Sequence, residues 1–265
     1  MNAGLVEGVG IHTGRTGRVR LHRDDGPLRF RLAGRDLPVD ASAVISTDRC
    51  TVLGSDGVRI ATVEHLLAAL RAAGFWAGVV IEVEGPEVPI LDGSAGPWRP
   101  LVAALGPPPA APAPWRPRAP LRFSHAQSVL VLAPGPERLT ASIDYAHPAI
   151  GAQRWSGTPE TFDALLDART FATRAEVSAM LAAGELLGAE EGRGIVFDDD
   201  GPTAALRWPD EPVRHKALDA VGDLALFGRP LAGDLSISRG SHAAHLAFML
   251  KLRSAADTAL SEVEA

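Results

Sequence analysis

Apolar residues recur every three to four positions in two stretches of the chain, and both patterns predict helices. The first helix is predicted over residues 62–74, with Thr62 as its N-cap and Gly74 as its stop. The second is predicted over residues 212–223, and its apolar face consists of Val213, Leu218, Val221 and Leu224. Each helix therefore has a face suited to a protein core.

Shorter stretches in which apolar and polar residues alternate predict strands. In the first half they cover residues 17–22, 28–32, 49–53 and 79–84, with turns at 24–26 and 55–57. In the second half they cover residues 128–132, 139–145, 195–197 and 231–238. Further helices are predicted over residues 98–105, 158–168, 174–183 and 242–252. Strands that precede helices in each half are typical of an α+β fold.

A segment rich in proline and alanine separates the two halves. Residues 107–120 can form neither a helix nor a central strand, so they predict a semi-rigid extended linker. The expected organisation is an N-terminal α+β domain over residues 1–106 and a C-terminal α+β domain over residues 121–265.

Composition and charge narrow the class of protein. The chain has 265 residues, of which 46% are hydrophobic and 22% charged, as in an ordinary globular protein. Its net charge of −6 argues against nucleic acid as a partner. Cys50 is the only cysteine, which fits a reducing compartment. Neither a signal peptide nor a membrane span is recognisable, so we expect a cytoplasmic protein, with peripheral membrane contact left open.

The second predicted helix carries residues suited to metal chemistry. His215, Asp219 and Asp223 lie four residues apart, so they share one stripe of the helix. An imidazole and a carboxylate on one stripe can bind a single zinc ion, although a solvated face with an ion pair gives the same pattern. Glu64 and His65 fall in the first turn of the earlier helix, where they supply a third ligand and a base, or form an ordinary exposed pair.

Motifs along nearly the whole chain resemble those of one family, the UDP-3-O-acyl-N-acetylglucosamine deacetylases, which are zinc amidohydrolases of lipid A biosynthesis. The matching segments, in family order, are Gly8-Val-Gly-Ile-His-Thr-Gly14, residues 62–66, 86–94, 147–150, 168–171 and 213–223, and the region of His242. The resemblance implies two similar α+β domains with the active site between them. It also implies UDP-3-O-acyl-N-acetylglucosamine as the substrate. We expect the protein to be a monomer.

The resemblance assigns roles to individual residues. It implies that Zn²⁺, with Fe²⁺ as the alternative ion, is bound by His65, His215 and Asp219. Glu64 would be the general base, and His242 a charged partner or general acid oriented by Asp223. Thr170 would hydrogen-bond the oxyanion, and Phe171 would stack near the sugar. Lys216 and Arg239 would contact polar parts of the substrate. Residues 172–199 would be an insert that forms a passage for the acyl chain, lined by Val177, Met180, Leu181, Ile195 and Val196.

The sequence departs from the family pattern at four places. Only seven residues precede Gly8, so the first strand of the family is expected to be nearly absent. Arg239-Gly-Ser241 stands where Lys-Ser-Gly is usual, Trp76-Ala77 replaces Asp-Asn, and residues 190–193 are more charged than a greasy passage suggests. Two alternatives therefore stay open: a zinc deacetylase of a different N-acetylated sugar or amine, and a non-catalytic protein that binds a sugar nucleotide or a lipid.

Overall fold

The computed structural model describes residues 2–261. The first half contains β1 (Asn2–Val9), β2 (Thr16–Pro27), β3 (Arg29–Leu32), β4 (Arg35–Pro38), β5 (Val44–Ser46), β6 (Val52–Ser55), β7 (Val58–Ile60), α1 (Glu64–Ala72), β8 (Ala77–Glu84) and α2 (Arg99–Ala103). The second half contains β9 (Leu121–His125), β10 (Ser128–Ala133), β11 (Arg138–Asp144), β12 (Ala152–Gly157), β13 (Phe171–Thr173), α3 (Arg174–Ala182), β14 (Ile195–Asp198), β15 (Gly201–Pro202), α4 (Glu211–Leu224), β16 (Asp234–Ser238) and α5 (His242–Ser261). Short 3-10 helices cover Ala41–Ala43, Gly96–Trp98, Pro159–Leu165 and Ala225–Phe227.

The two halves have sheets of the same topology. The first is a five-stranded sheet of order β1-β2-β8-β3-β4, and the second is a five-stranded sheet that reads β9-β10-β16-β11-β12 in the matching direction. In each, the central strand pairs antiparallel with one neighbour (β2 or β10) and parallel with the other (β3 or β11). Strands and helices built around such mixed sheets confirm the predicted α+β fold with two similar halves.

Helices α1 and α4, one from each half, pack directly against each other. The crossing is close because α4 has a glycine at the contact: a Cβ at Gly222 would lie 2.0 Å from the carbonyl oxygen of Glu64. All residues of α1 from Glu64 to Leu70 are buried, so the helix is central rather than half-exposed. The crossing therefore places the first turn of α1 beside the polar stripe of α4.

The structure corrects three local expectations in the first half. The first strand is present, because residues 2–9 pair along β2. The predicted turn at residues 24–26 lies inside β2, where an irregular register absorbs it. Thr62 does not cap α1: the N-cap is Val63, and the Thr62 hydroxyl instead donates to Glu87 Oε1 at 2.8 Å. Gly74 is the predicted stop, with a φ of +84° that suits the end of a helix.

The predicted linker and insert can both be located. Residues 107–120 have neither helix nor strand, apart from one bridge between Trp115 and Leu231. The insert contains α3 and β14, and β14 pairs with β13 and β15 in a small sheet. The domain boundaries themselves remain predictions. Among residues 2–261, no helix combines the length and the apolar character that crossing a bilayer requires.

Candidate active site

Three side chains from α1 and α4 converge on one point. His65 Nε2 lies 3.6 Å from Asp219 Oδ1, and His215 Nε2 lies 3.3 Å from the same oxygen. All three residues are buried, and their ligand atoms lie within 4.8 Å of one another. Two imidazoles and one carboxylate are a donor set that suits a catalytic zinc ion, which needs three protein ligands and an open position. The residues fit a metal ion, as the sequence predicts.

The protonation of His215 also fits metal binding. Its Nδ1–H donates to the carbonyl oxygen of Ala168 at 3.0 Å, which leaves the lone pair of Nε2 facing Asp219. Burial lowers the pKa of His215 to about 4, so the imidazole is neutral at neutral pH. A neutral imidazole with a fixed tautomer is the form that binds a metal ion.

Asp219 stays ionised although it is buried. Burial alone would raise its pKa, but the attraction of His215 and of the Lys216 ammonium group outweighs this and holds the pKa well below the usual value. Lys216 Nζ lies 3.1 Å from Asp219 Oδ2, the oxygen that does not face the two imidazoles. One carboxylate oxygen is therefore paired with a cation, and the other is available to a metal ion.

Glu64 stands beside this centre at the start of α1. It is 3% exposed, and its Oε2 accepts the backbone N–H of Thr51 at 3.1 Å. Burial raises the pKa of Glu64, against the attraction of His242 and His65. Its Oε1 lies 4.0 Å from His242 Nε2. A carboxylate with a raised pKa is a stronger base, and it lies next to a group that can carry the opposite charge.

His242 is the first residue of α5, where the helix dipole disfavours a positive charge. Its Nδ1 lies 2.7 Å from Asp223 Oδ2. Burial would lower the pKa of His242, but Asp223, with help from Glu64, outweighs burial and raises it to about 10. Because the dipole at an N-terminus is typically worth only about 0.3–1 kcal/mol, the carboxylates prevail. His242 is therefore an imidazolium across neutral pH.

A cleft of about 440 Å³ opens over these groups. Thr170, Phe171 and Lys216 line it together with the three converging residues His65, His215 and Asp219, with Glu64 and with His242. Of the residues predicted to line an acyl passage, four lie in its wall: Val177, Met180, Ile195 and Val196. Leu181 does not line the cleft and is 54% exposed instead. The charges at residues 190–193 are partly neutralised within the wall, where Arg193 pairs with Glu190 at 2.9 Å.

The segment that contains Thr170 is joined to α4 by a buried ion pair. Glu211, in the first turn of α4, is fully buried and accepts hydrogen bonds from the Arg169 side chain at 2.9 and 3.1 Å. It also accepts the backbone N–H groups of Arg169 and Arg207. Since Ala168 accepts from His215, both residues that precede Thr170 are fixed to α4.

Two predicted site residues do not line the cleft: Asp223, which contacts His242, and Arg239. Its guanidinium pairs with Asp144, and its backbone N–H donates to Ser142. The next three residues, Gly240, Ser241 and His242, do line the cleft.

The sequence is similar to one known family and to several named relatives. A model of the family described as UDP-3-O-acyl N-acetylglycosamine deacetylase matches residues 2–254. Relatives named UDP-3-O-acyl-N-acetylglucosamine deacetylase include one from Nitratidesulfovibrio vulgaris, 37% identical over 97% of this chain and 87% of the relative. One from Myxococcus xanthus is 36% identical over 94% of this chain and 83% of the relative. One from Thermosynechococcus vestitus is 38% identical over 90% of this chain and 87% of the relative.

The chain belongs to the UDP-3-O-acyl-N-acetylglucosamine deacetylase family. The resemblance inferred from the motifs is thereby confirmed. The departures from the family pattern do not touch the three converging ligand residues or Glu64.

Two residues of this deacetylase-family site escaped prediction from sequence. Thr51 donates its hydroxyl to Asp223 Oδ1 at 2.6 Å and its backbone N–H to Glu64, so it contacts two of the predicted site residues. His245 places its Nδ1 2.7 Å from Asp223 Oδ2. The sequence offers no signal for Thr51. The spacing of His245, three residues after His242 on a predicted helix, was the available signal for the second.

Proposed function

We propose that the protein hydrolyses the acetamide of UDP-3-O-acyl-N-acetylglucosamine in lipid A biosynthesis and releases acetate and the free glucosamine amine. The observation that carries the proposal is the convergence of His65, His215 and Asp219 beside the Glu64–His242 pair at the floor of one cleft. Family membership supports the same reaction, because the relatives are named for it.

The proposed cofactor is a zinc ion held by His65, His215 and Asp219, with iron(II) as the alternative ion for the same donors. A bound zinc ion supplies a Lewis acid that acidifies water and polarises a carbonyl group. The geometry of the three donors, the neutral His215 and the ionised Asp219 support this assignment. The complete burial of the set also excludes bulk water from all but the cleft side.

Glu64 and His242 are the proposed proton-transfer pair. Glu64, with its raised pKa, accepts a proton from the attacking water as it adds to the acetyl carbon. His242 keeps its positive charge because the Asp223 carboxylate raises its pKa. It stabilises negative charge and donates a proton to the leaving amine. Two titrating groups of this kind produce a bell-shaped dependence of rate on pH.

The remaining assignments concern the substrate. Thr170 offers a hydroxyl to the oxyanion, and a well-placed donor of this kind is worth about 3–4 kcal/mol of transition-state stabilisation. Phe171 is proposed to stack near the sugar, since its ring lies in the cleft with Lys216 Nζ 5.7 Å from its centroid. Lys216 is proposed to contact polar groups of the substrate. A substrate contact by Arg239 stays a prediction that requires its guanidinium to leave Asp144.

The acyl chain is proposed to lie against Val177, Met180, Ile195 and Val196 in the cleft wall. Each buried CH₂ contributes about 0.8 kcal/mol, so a long chain strengthens binding greatly if this wall receives it. The same side chains also contribute to the packing of the insert, where Met180 and Ile195 are buried. Comparison of acylated and unacylated substrates separates these two roles.

A panel of substrates tests the proposal. Protein with a measured zinc content is given UDP-3-O-acyl-N-acetylglucosamine, UDP-N-acetylglucosamine and a simple N-acetylated amine, and acetate release is followed. We expect rapid release from the acylated substrate and much slower release from the other two. Equal rates on the first two would favour a different N-acetylated substrate, and no release from any would favour a non-catalytic binding protein.

We also propose that the protein acts in the cytoplasm as a monomer, with peripheral membrane contact where the acyl substrate resides. Its single cysteine supports a reducing compartment. Cell fractionation and size-exclusion chromatography test these assignments.

A further inference from the structure

Asp223 is the hub of a buried hydrogen-bond network behind the cleft. It is 1% exposed and accepts three side-chain hydrogen bonds. Its Oδ1 accepts from the Thr51 hydroxyl at 2.6 Å, and its Oδ2 accepts from the Nδ1 atoms of both His242 and His245 at 2.7 Å. Only His242 of these two imidazoles reaches the cleft; His245 is 2% exposed and lies behind it.

The surroundings of His245 are unfavourable for one of its two ring nitrogens. Its Nε2 is buried and has no hydrogen-bond partner among the residues that the structure describes. Gly240 packs against this edge of the ring, and a Cβ there would lie 2.8 Å from Nε2. A buried polar atom without a partner destabilises a folded chain, and a group kept despite that cost calls for an explanation.

We propose that His245 is a positioning residue for the reaction: its Nδ1–H holds the Asp223 carboxylate in the rotamer that aims Oδ2 at His242. The inference rests on the proposed deacetylation and extends it to a residue outside the cleft.

The geometry gives the reason for a second donor. A carboxylate can rotate about its Cβ–Cγ bond, and the Thr51 hydroxyl fixes only one of its oxygens. The His245 N–H fixes the other oxygen, so Oδ2 stays within hydrogen-bond distance of His242 Nδ1. Since a small misplacement of a catalytic group can lower the rate roughly 100-fold, the orientation of Asp223 bears directly on His242.

Two substitutions at this position separate hydrogen bonding from packing. His245→Asn keeps a donor at the place of Nδ1, because the Asn amide nitrogen is also one bond from Cγ, and it removes the orphaned Nε2. His245→Leu keeps apolar bulk and removes the donor. Phe248→Leu is the matched control, since Phe248 is equally buried on the same helix and lies outside the network around Asp223.

We expect His245→Leu to lower kcat roughly 10- to 100-fold with little change in KM, because orientation in the transition state is lost while substrate contacts remain. His245→Asn should retain kcat within about threefold of the wild type, and it should unfold at a temperature at or above that of the wild type. Phe248→Leu should be destabilised without a fall in kcat. A wild-type kcat in His245→Leu, or an equal loss in both His245 variants when both are folded, would overturn the proposal.

A measurement that does not use activity covers the case in which His245→Leu fails to fold. The ¹H–¹⁵N spectrum of the wild-type imidazoles should show a slowly exchanging proton on His245 Nδ1. Observation of the Nε2–H tautomer would mean that His245 cannot donate to Asp223, and it would refute the proposal. An inactive wild type that nevertheless shows the Nδ1–H tautomer would refute the proposed function alone.

Discussion

At the scale of single residues, the charge of a histidine depends on whether burial or the attraction of nearby carboxylates has the larger effect on its pKa. His215, without a carboxylate on its Nδ1, has a pKa lowered to about 4 by burial, whereas His242, with Asp223 on its Nδ1, has a pKa raised to about 10. Two histidines about the same centre thus take opposite forms, one neutral and suited to a metal ion, the other charged and suited to proton transfer. The Nδ1–H of His215 meets a neutral backbone carbonyl group, whereas that of His242 meets a carboxylate, and this difference favours the charged form only for His242.

Glu64→Gln tests the base directly. The substitution preserves shape and touches no proposed ligand, so bound metal and thermal stability should match the wild type. The rate of acetate release should fall at least ~100-fold, the scale typical of a lost general base. Glu82→Gln, an acid-to-amide change on β8 away from the cleft, is the control. A fully metallated Glu64→Gln protein with nearly wild-type turnover would show that Glu64 is not the base.

Asp223→Asn tests the charge on His242. The proposed mechanism requires protonated His242, so it predicts that the rate falls as pH rises through the pKa of that residue. Removal of the carboxylate lowers this pKa from about 10, so the basic limb of the pH–rate profile should move to lower pH. Asp163→Asn, which removes an exposed carboxylate paired with Arg99, should leave the limb in place. If the basic limb of the Asp223→Asn profile stayed at the wild-type pH, that limb would not report the titration of His242.

At the scale of elements, the site depends on how closely α1 and α4 cross. An alanine in place of a helical glycine ordinarily stabilises a helix by up to about 1 kcal/mol. At Gly222 the new Cβ would lie 2.0 Å from the Glu64 carbonyl oxygen, so the helices must separate. We expect Gly222→Ala to destabilise the protein by about 1–3 kcal/mol and to lower its metal content, because His65 moves with α1.

Gly4→Ala is the control for this change, because a Cβ at Gly4 would meet nothing within 4 Å. Thermal unfolding and metal analysis of both variants measure the effect. Gly222→Ala protein with wild-type stability and full metal content would mean that the crossing tolerates the extra methyl group.

Helices could be predicted from sequence because their signals are local. The apolar period of α4 depends on α4 alone, and the stop at Gly74 depends only on the end of α1. Features that depend on the tertiary structure could not be predicted. Thr62 has the right chemistry for a cap but bonds to Glu87. The edge strands β9 and β12 have too few alternating residues to be recognised.

The site residues differ in the same way. His215 and Asp219 can be found from their spacing on one helix. His65 lies on another helix, where the sequence equally allows an exposed Glu–His pair, and the family resemblance favours the ligand. Thr51 meets Asp223 across 172 positions of the chain, and no pattern in either segment indicates that contact.

At the scale of the whole molecule, an ion pair joins the last helix to the first half. Arg253 on α5 donates two hydrogen bonds to Asp40, at 2.8 and 2.6 Å. Burial would raise the pKa of Asp40, but Arg253 and the Ser42 hydrogen bonds outweigh it and lower the pKa to about 2. Because the folded-state pKa is depressed, this stabilisation is present above the unfolded pKa near 4 and is lost as pH falls towards 2.

Asp40→Asn should therefore lower the free energy of unfolding by about 1–2 kcal/mol at pH 7, a figure reduced because both partners are partly exposed. The difference from the wild type should shrink as pH falls from 4 to 2. Asp25→Asn, at an exposed site, should change little. A difference that stays constant over this pH range would show that the pair contributes nothing through its charge.

The most direct test of the account is acetate release from UDP-3-O-acyl-N-acetylglucosamine as zinc is returned to chelator-stripped protein. If His65, His215 and Asp219 form one catalytic metal site, the rate should rise with added zinc to a maximum at about one equivalent per chain, and His215→Ala should stay inactive throughout. Full activity of the stripped protein, or no acetate release at one bound equivalent, would contradict the account.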